Sequence, residues 1–222
     1  MVWSWRHELA RKAVHLSSIL ILVIYISIGR YSDKLALLFL AFLLVVLLEL
    51  EYFRIDFWMR LRFFQKFQQF RRKKEAEHLG GEVFFLMGAI LVLAIFDFRI
   101  ASAAILMTTF GDLIASLVGR AIGRHRIWRL KKSWEGAAAE FAMNLLIGFL
   151  IVRNTIDNGV WFLIGTGPQG TPIWPIILVM AFTATATEVL TNKLDDNLLI
   201  PLFSGFNGQL VLLLLSVAAF PM

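Results

Sequence analysis

Long apolar runs separated by short polar segments dominate the chain. The runs that approach the roughly 20 residues a helix needs to cross a bilayer lie at about 13–29, 35–50, 83–98, 100–118, 137–152, 174–190 and 198–220. This pattern predicts an all-α fold: a polytopic transmembrane helix bundle of about seven spans. We expect the whole chain, 1–222, to form a single integral membrane domain. No small-residue cleavage site follows the first run, so we interpret that run as an anchor and not as a signal peptide.

One polar segment carries a pattern of its own, "EYFRIDFWMRLRFFQKFQQFRRKK" at 51–74. Large apolar residues recur there at helical spacing, with arginines and glutamines between them, which predicts an amphipathic helix lying in the membrane interface. Two roles stay open for it. It is either a spacer that lies on the lipid surface or a platform that guides a lipid substrate from the leaflet into a site.

Lys and Arg placement predicts the orientation. Of the 22 Lys and Arg residues, only Arg30, Lys34, Arg99 and Arg153 fall on one side of the predicted membrane. Because cytoplasmic segments retain an excess of Lys and Arg, the N-terminus is predicted inside and the C-terminus outside. We interpret the net charge of +6 as serving this orientation and contact with anionic lipids, and we expect no nucleic acid partner.

Composition narrows the chemistry further. The chain is 59% hydrophobic and 17% charged, as expected of a membrane protein, and it contains no cysteine. Disulfides, thiolate metal sites and cysteine nucleophiles are therefore excluded.

Several acidic side chains lie inside or beside the apolar runs, where a carboxylate is costly and marks a functional site. With the predicted topology, Asp112, Glu140 and Glu188 all lie towards the inner ends of their helices. Helical spacing places polar residues on one face of each helix. These faces are Thr108, Asp112, Ser116 and Gly119; Glu140 with Asn144; and Glu188 with Asn192.

Cations are predicted on the same side as these acids. Six basic residues lie in 119–136, and "LDDN" follows Glu188 at 194–197. Carboxylates that hold Mg²⁺ beside cations that hold phosphate are the parts that phosphoryl transfer requires. The glycines of "GRAIG" at 119–123 leave two roles open. They allow backbone to approach a phosphate, or they allow two helices to pack closely.

Four motifs resemble the CTP-dependent lipid kinase family, which includes dolichol kinase, phytol kinase and the yeast-type diacylglycerol kinase. They are "ELARKAVH" at 8–15, "EHLGGEVFFLMG" at 77–88, "GDLIASLVGRAIGR" continuing to "KKSWEGA" at 131–137, and "EVLTNKLDDNLLIPL" at 188–202. Ala137 departs from the family pattern, which usually has a serine there. The resemblance implies transfer of the CTP γ-phosphate to the hydroxyl of a membrane lipid alcohol at the cytoplasmic face, with Mg²⁺ as cofactor. The alcohol is either a polyprenol or isoprenoid alcohol, such as dolichol, phytol or geranylgeraniol, or diacylglycerol.

The resemblance also implies roles for individual residues. Asp112, Glu188, Asp195 and Asp196 are expected to hold the metal, with Asp196 preferred as the acceptor of the alcohol proton and Lys132 acting with them in catalysis. The nucleotide is expected to contact Gly111, Arg120, Gly123, Arg124, Lys131, Lys132, Ser133, Gly136, Asn197, Arg11 and His15. For His15 an interfacial packing role stays open, and Arg11 is equally consistent with a marker of orientation.

Two rival functions remain. A membrane cytidylyltransferase also uses CTP and Mg²⁺, but its characteristic glycine- and histidine-rich ending is not present. A small-solute or ion transporter would also explain buried acids, although the sequence contains no inverted repeat. The expected location is the plasma membrane of a prokaryote or the endoplasmic reticulum of a eukaryote. A homo-oligomer is compatible with the sequence, which does not indicate an oligomeric state.

Overall fold

A computed structural model describes residues 17–56, 79–127, 132–152, 173–191 and 194–218. The elements are all helical: α1 (Ser17–Gly29), α2 (Asp33–Asp56), α3 (Gly81–Ile95), α4 (Phe98–Leu106), a π-helical turn (Met107–Gly111), α5 (Asp112–Ala121), α6 (Trp134–Val152), α7 (Trp174–Leu190) and α8 (Asp196–Ala218). Because α4, the π turn and α5 are continuous, the described residues contain seven helical segments. These segments coincide with the seven apolar runs.

Four of these segments are long and apolar enough to cross a bilayer: α2, the continuous helix Phe98–Ala121, α6 and α8. The other three, α1, α3 and α7, are apolar but shorter, at 13, 15 and 17 residues. The helical membrane fold is therefore confirmed, while seven spans and their orientation stay predictions. The proposed interfacial helix falls mostly outside the described residues, although α2 already includes its first six residues, 51–56.

The described residues fall into two compact units, Met1–Ile90 and Leu91–Met222. In the first unit, the turn between α1 and α2 ends at Ser32, whose Oγ accepts a hydrogen bond from Leu35 N at 3.4 Å. This is the usual capping contact of a helix N-terminus. Ala36 and Leu40 of α2 are fully buried, whereas Leu38 and Phe42 on the same helix are exposed. Exposed large apolar residues are expected of a helix that faces lipid.

The second unit contains the continuous helix Phe98–Ala121, with α6, α7 and α8 packed around it. Its core is made of small and branched apolar side chains, among them Ala103, Ala104, Ile177 and Met180. Small residues let helix backbones approach closely, which is the main source of packing energy between helices in lipid. At Gly148, for example, a Cβ would come within 2.7 Å of Ile177 Cγ2.

The π turn interrupts the regular α-helical hydrogen-bond pattern between α4 and α5. Thr108 Oγ1 donates to Ala104 O at 2.8 Å, and Thr109 Oγ1 donates to Ile105 O at 3.1 Å. These hydroxyls bind carbonyl oxygens one turn back along the helix, beside the widened turn, as threonine side chains in helices commonly do. A π turn within an α-helix is frequently a feature of a functional site, and this one ends directly before Asp112.

Candidate functional site

Acidic side chains from four different helices of the second unit interact with one another. Glu140 of α6 interacts electrostatically with Glu188 of α7 and Asp112 of α5. Glu188 interacts in turn with Asp112 and with Asp196 at the start of α8. Glu140 and Glu188 are only 2% and 5% exposed. The structure thus brings together the carboxylates that the sequence placed at the ends of separate helices.

One cation lies directly against this acidic cluster. Lys132, two residues before α6, places its Nζ 2.7 Å from Glu188 Oε1 and also donates to the Glu188 carbonyl oxygen. Lys132 interacts electrostatically with Glu140 as well. Buried carboxylates repel one another and lose hydration, so a cation among them recovers part of that cost. The contact of Lys132 with Glu188 therefore links the beginning of α6 to the end of α7.

Two buried oxygen atoms at the cluster are left without a hydrogen-bond partner, Glu188 Oε2 and Asn144 Oδ1. Among the described residues, the buried side-chain polar atoms without a hydrogen-bond partner are these two oxygens and Ser102 Oγ. Buried polar atoms are nearly always hydrogen-bonded, so exceptions call for an explanation such as a ligand or an ion. Both atoms are hydrogen-bond acceptors. Each of these two atoms therefore lacks a donor or a cation as its partner.

The donor set fits a hard divalent cation in part. Carboxylate and amide oxygens are ligands that Mg²⁺ accepts, and Glu188 Oε2 and Asn144 Oδ1 are buried acceptors without a partner among the described residues. Within the described ranges, however, no three acidic or histidine side chains are gathered as a metal site. Mg²⁺ is usually bound by one or two carboxylates together with substrate phosphates and water, and not by an all-protein cage. Asp112 and Glu188 fit that pattern.

The glycines predicted to contact phosphate form a tight junction between α5 and α6. A Cβ on Gly136 would come 2.8 Å from Ala115 O, and a Cβ on Gly123 would come 2.6 Å from Ser133 Oγ. Ser133 Oγ also accepts a hydrogen bond from Gly136 N at 3.1 Å, as the cap of α6. Helix packing and capping account for these three residues in the structure, and contact with a nucleotide stays a prediction for each of them.

Residues 124–127, which follow α5, run antiparallel to residues 132–134 at the start of α6. We call these two segments the hairpin, and Glu135 contacts the first of them. Its carboxylate accepts hydrogen bonds from the backbone N of Arg124 at 3.1 Å and of His125 at 3.0 Å, and lies 2.7 Å from His125 Nδ1. Arg126 and Ser133 form an isolated antiparallel bridge below it. An open cleft of about 780 Å³ lies beside the hairpin, lined by Arg124, His125, Arg126, Trp134, Glu135 and Ala138. It presents two arginines to solvent near the start of α6.

The structure places the remaining predicted residues less centrally. Asp195 Oδ1 accepts from Asn197 N at 3.0 Å, which makes Asp195 the cap of α8. Arg120 is exposed at the end of α5. Gly111 is buried at the end of the π turn and faces Glu140 and Asn144. The predictions for Arg11, His15, Lys131 and Asn192 lie outside the described residues.

Three residues contribute to the cluster or its surroundings without having received a role from the sequence. Glu140 was singled out as a membrane acid and, with Asn144, as a polar helical face, but neither was assigned a role, and Glu135 was not singled out. The signal for the first two was present, because an acid and an amide four residues apart in an apolar helix are rare and expensive. Glu135 gave no such signal, since in the sequence it follows a run of charged residues, where solvated acids are common.

Comparison with known proteins supports the resemblance drawn from the four motifs. The chain is 26% identical over 212 residues to "CTP-dependent diacylglycerol kinase 1" of Schizosaccharomyces pombe, which covers 91% of this chain and 93% of the yeast protein. It is 29% identical over 137 residues to "Probable phytol kinase, chloroplastic" of Triticum aestivum, and 28% identical over 134 residues to "Phytol kinase" of a Synechocystis strain.

Those two alignments cover 60% and 58% of this chain but only 44% and 53% of the relatives. The chain thus spans about half the length of these phytol kinases. No family model matches the chain, and no solved structure matches it. The predicted resemblance to the CTP-dependent lipid kinase family is confirmed by these relatives.

Proposed function

We propose that this protein is a CTP-dependent lipid kinase that transfers the γ-phosphate of CTP to the hydroxyl of a membrane lipid alcohol at the cytoplasmic face. The observation that carries the proposal is the group of acids formed by buried Glu140 and Glu188 with part-exposed Asp112, which Lys132 contacts on one side. A yeast relative named as a CTP-dependent diacylglycerol kinase aligns with nearly the whole chain, which supports the same reaction.

The residues divide into two groups by their position around Glu188. Lys132 is part-exposed and lies next to the hairpin with Arg124 and Arg126, so it is the cation best placed for the terminal phosphates of a nucleotide. Lysine acts on phosphate as a point charge. Asp112 and Glu188 would hold Mg²⁺ between the acids and those phosphates, where the ion supplies charge neutralisation.

The transfer itself requires few further groups. The alcohol oxygen forms a bond to the γ-phosphorus as the bond from that phosphorus to the oxygen of the departing CDP breaks, and the alcohol proton passes to a carboxylate. Because Glu188 is engaged by Lys132 and is proposed as a metal ligand, we assign the proton to Asp196, which is part-exposed at the start of α8. From there the proton reaches solvent.

Product analysis with the purified protein tests this function. We expect CTP labelled in the γ-phosphate to give labelled lipid phosphate with at least one alcohol among geranylgeraniol, a longer polyprenol and diacylglycerol. CTP labelled in the α-phosphate is expected to give no labelled lipid. Labelled CDP-lipid would identify a cytidylyltransferase instead, and no transfer to any of the three alcohols would refute the kinase proposal.

A further inference from the structure

Asn144 lies on α6, one helical turn beyond Glu140, and its side chain is fully buried. Its Nδ2 donates a hydrogen bond to Thr185 Oγ1 of α7 at 3.2 Å, and the amide also interacts with the Glu140 carboxylate. Both contacts engage the nitrogen end of the amide. The oxygen end, Oδ1, has no hydrogen-bond partner among the described residues, so this acceptor remains unused.

Gly111 of the π turn packs closely beside this oxygen. A Cβ at Gly111 would come 2.8 Å from Asn144 Oδ1 and 3.2 Å from Glu140 Cγ. Any residue other than glycine would therefore crowd the amide oxygen. A buried acceptor left unpaired costs free energy, and a ligand that carries a donor removes that cost when it binds.

The position of Asn144 indicates which ligand supplies the donor. At a rise of 1.5 Å per residue, Asn144 lies about 6 Å further along α6 than Glu140, away from the helix start beside Lys132. The phosphate-binding cation and the unused amide oxygen thus lie towards opposite sides of the acids. Phosphoryl transfer needs the attacking oxygen roughly in line with, and opposite to, the departing one.

We propose that Asn144 Oδ1 accepts the hydrogen bond of the lipid alcohol's hydroxyl and thereby positions that hydroxyl for attack. This assignment rests on the proposed kinase function. A neutral amide oxygen holds an O–H group without attracting cations as strongly as a carboxylate does, and it cannot take the proton. Before the reaction, the hydrogen bond points the proton away from the γ-phosphorus and turns the lone pairs of the alcohol oxygen towards it. As the new P–O bond forms, the O–H turns from the amide to the Asp196 carboxylate, which takes the proton.

Binding without turnover gives the first test. Thermal unfolding of the purified protein is measured without CTP, with geranylgeraniol or dioleoylglycerol, and with the methyl ether of each, which cannot donate a hydrogen bond. We expect at least one alcohol to raise the Tm of the unaltered protein more than its ether does. Asn144→Leu, and separately Gly111→Ala, are expected to abolish that difference. A difference that survives in both variants would overturn the proposal.

Kinetics give the second test, with a matched control in the same unit. Asn207 Nδ2 donates to Thr183 Oγ1 at 3.3 Å, so Asn207→Leu removes the same kind of amide-to-threonine contact between α8 and α7. At saturating CTP, Asn144→Leu is expected to raise the KM for the alcohol about tenfold, as for loss of one hydrogen bond. The KM for CTP and the Mg²⁺ concentration for half-maximal rate stay unchanged.

The alternatives give different results. An equal rise in the alcohol KM in Asn207→Leu would show that Asn144 is only structural, and a raised Mg²⁺ requirement in Asn144→Leu would make Oδ1 a cation ligand. Either result overturns the inference. An unaltered protein that makes no lipid phosphate refutes the kinase function itself, whereas an active protein whose Asn144→Leu variant keeps the alcohol KM refutes only the role of Asn144.

Discussion

Two buried glutamates, one in each unit of the molecule, have similar burial but opposite surroundings. Glu51 of α2 is 4% exposed, and both its oxygens are hydrogen-bonded: Arg54 contacts them at 2.8 and 2.7 Å, and Gly80 N donates at 2.9 Å. Glu188 is 5% exposed, has one oxygen paired with Lys132, leaves the other unpaired and faces further acids. Burial alone therefore does not mark a site.

The two carboxylates differ in whether both of their oxygens have a hydrogen-bond or ion-pair partner. A bidentate arginine and a backbone N–H compensate Glu51 within its own unit, which is the arrangement of a structural ion pair. Among the described residues Glu188 is compensated at one oxygen only, by Lys132, and its other oxygen is left without a partner. Unsatisfied acceptors in a dry setting are costly, and their persistence here is the strongest structural sign of function in this protein.

The largest effect is expected from Asp112→Asn, which keeps the volume of the side chain but removes its charge. Loss of a metal ligand is expected to lower kcat/KM by more than about 100-fold, since even outer-shell partners typically contribute 10- to 100-fold. Steady-state transfer from labelled CTP measures it, with recovery in the membrane fraction as the control for insertion. Near-normal turnover would contradict the metal role.

Lys132→Met tests the comparison by removing the cation that pairs with Glu188. The KM for CTP is expected to rise about tenfold or more while that for the lipid changes less, because the lysine charge acts on phosphate. The Tm is also expected to fall, because Glu188 loses its compensating charge. Adding Glu188→Gln is expected to recover the Tm without restoring activity. Equal increases of both KM values would argue against a phosphate contact.

Glu51→Gln tests the buried carboxylate whose two oxygens are both hydrogen-bonded. It removes the charge that compensates Arg54, so we expect a loss of stability of about 1–3 kcal/mol and unchanged KM values for both substrates in the folded fraction. Thermal unfolding together with substrate titrations measures both quantities. If the KM for CTP rose while the Tm stayed constant, Glu51 would belong to the site and the comparison with Glu188 would fail.

The smallest effect is expected from Glu135→Gln in the hairpin between α5 and α6. The amide keeps an acceptor for the backbone N–H groups of Arg124 and His125 but removes the charge, so the hairpin loosens without unfolding. A rise of a few-fold in the KM for CTP is expected, because charge-assisted hydrogen bonds are stronger than neutral ones. Gln209, whose Oε1 accepts from Asp97 N at 2.8 Å, provides a control: Gln209→Glu adds a charge elsewhere in the unit and leaves this KM unchanged.

The sequence predicted most of the fold, because the length and apolarity of a helix are local properties. All seven apolar runs became helices, with ends displaced by a few residues where capping groups such as Ser32 and Ser133 set the boundary. The π turn before Asp112 was not predicted. Nothing in "MTTFG" differs from an ordinary apolar helix, and the widened turn depends on how its neighbours pack.

The sequence by itself determined the inventory of the site: which acids and cations lie near the ends of which apolar helices. Only the tertiary structure decided which of them are satisfied. Lys132 meets Glu188 across 56 residues, and Asn144 meets Thr185 across 41. Such pairs depend on the rotation and crossing of whole helices, to which many weak packing contacts contribute and which no local pattern encodes. For that reason the unpaired oxygens of Glu188 and Asn144 became visible only in the folded chain.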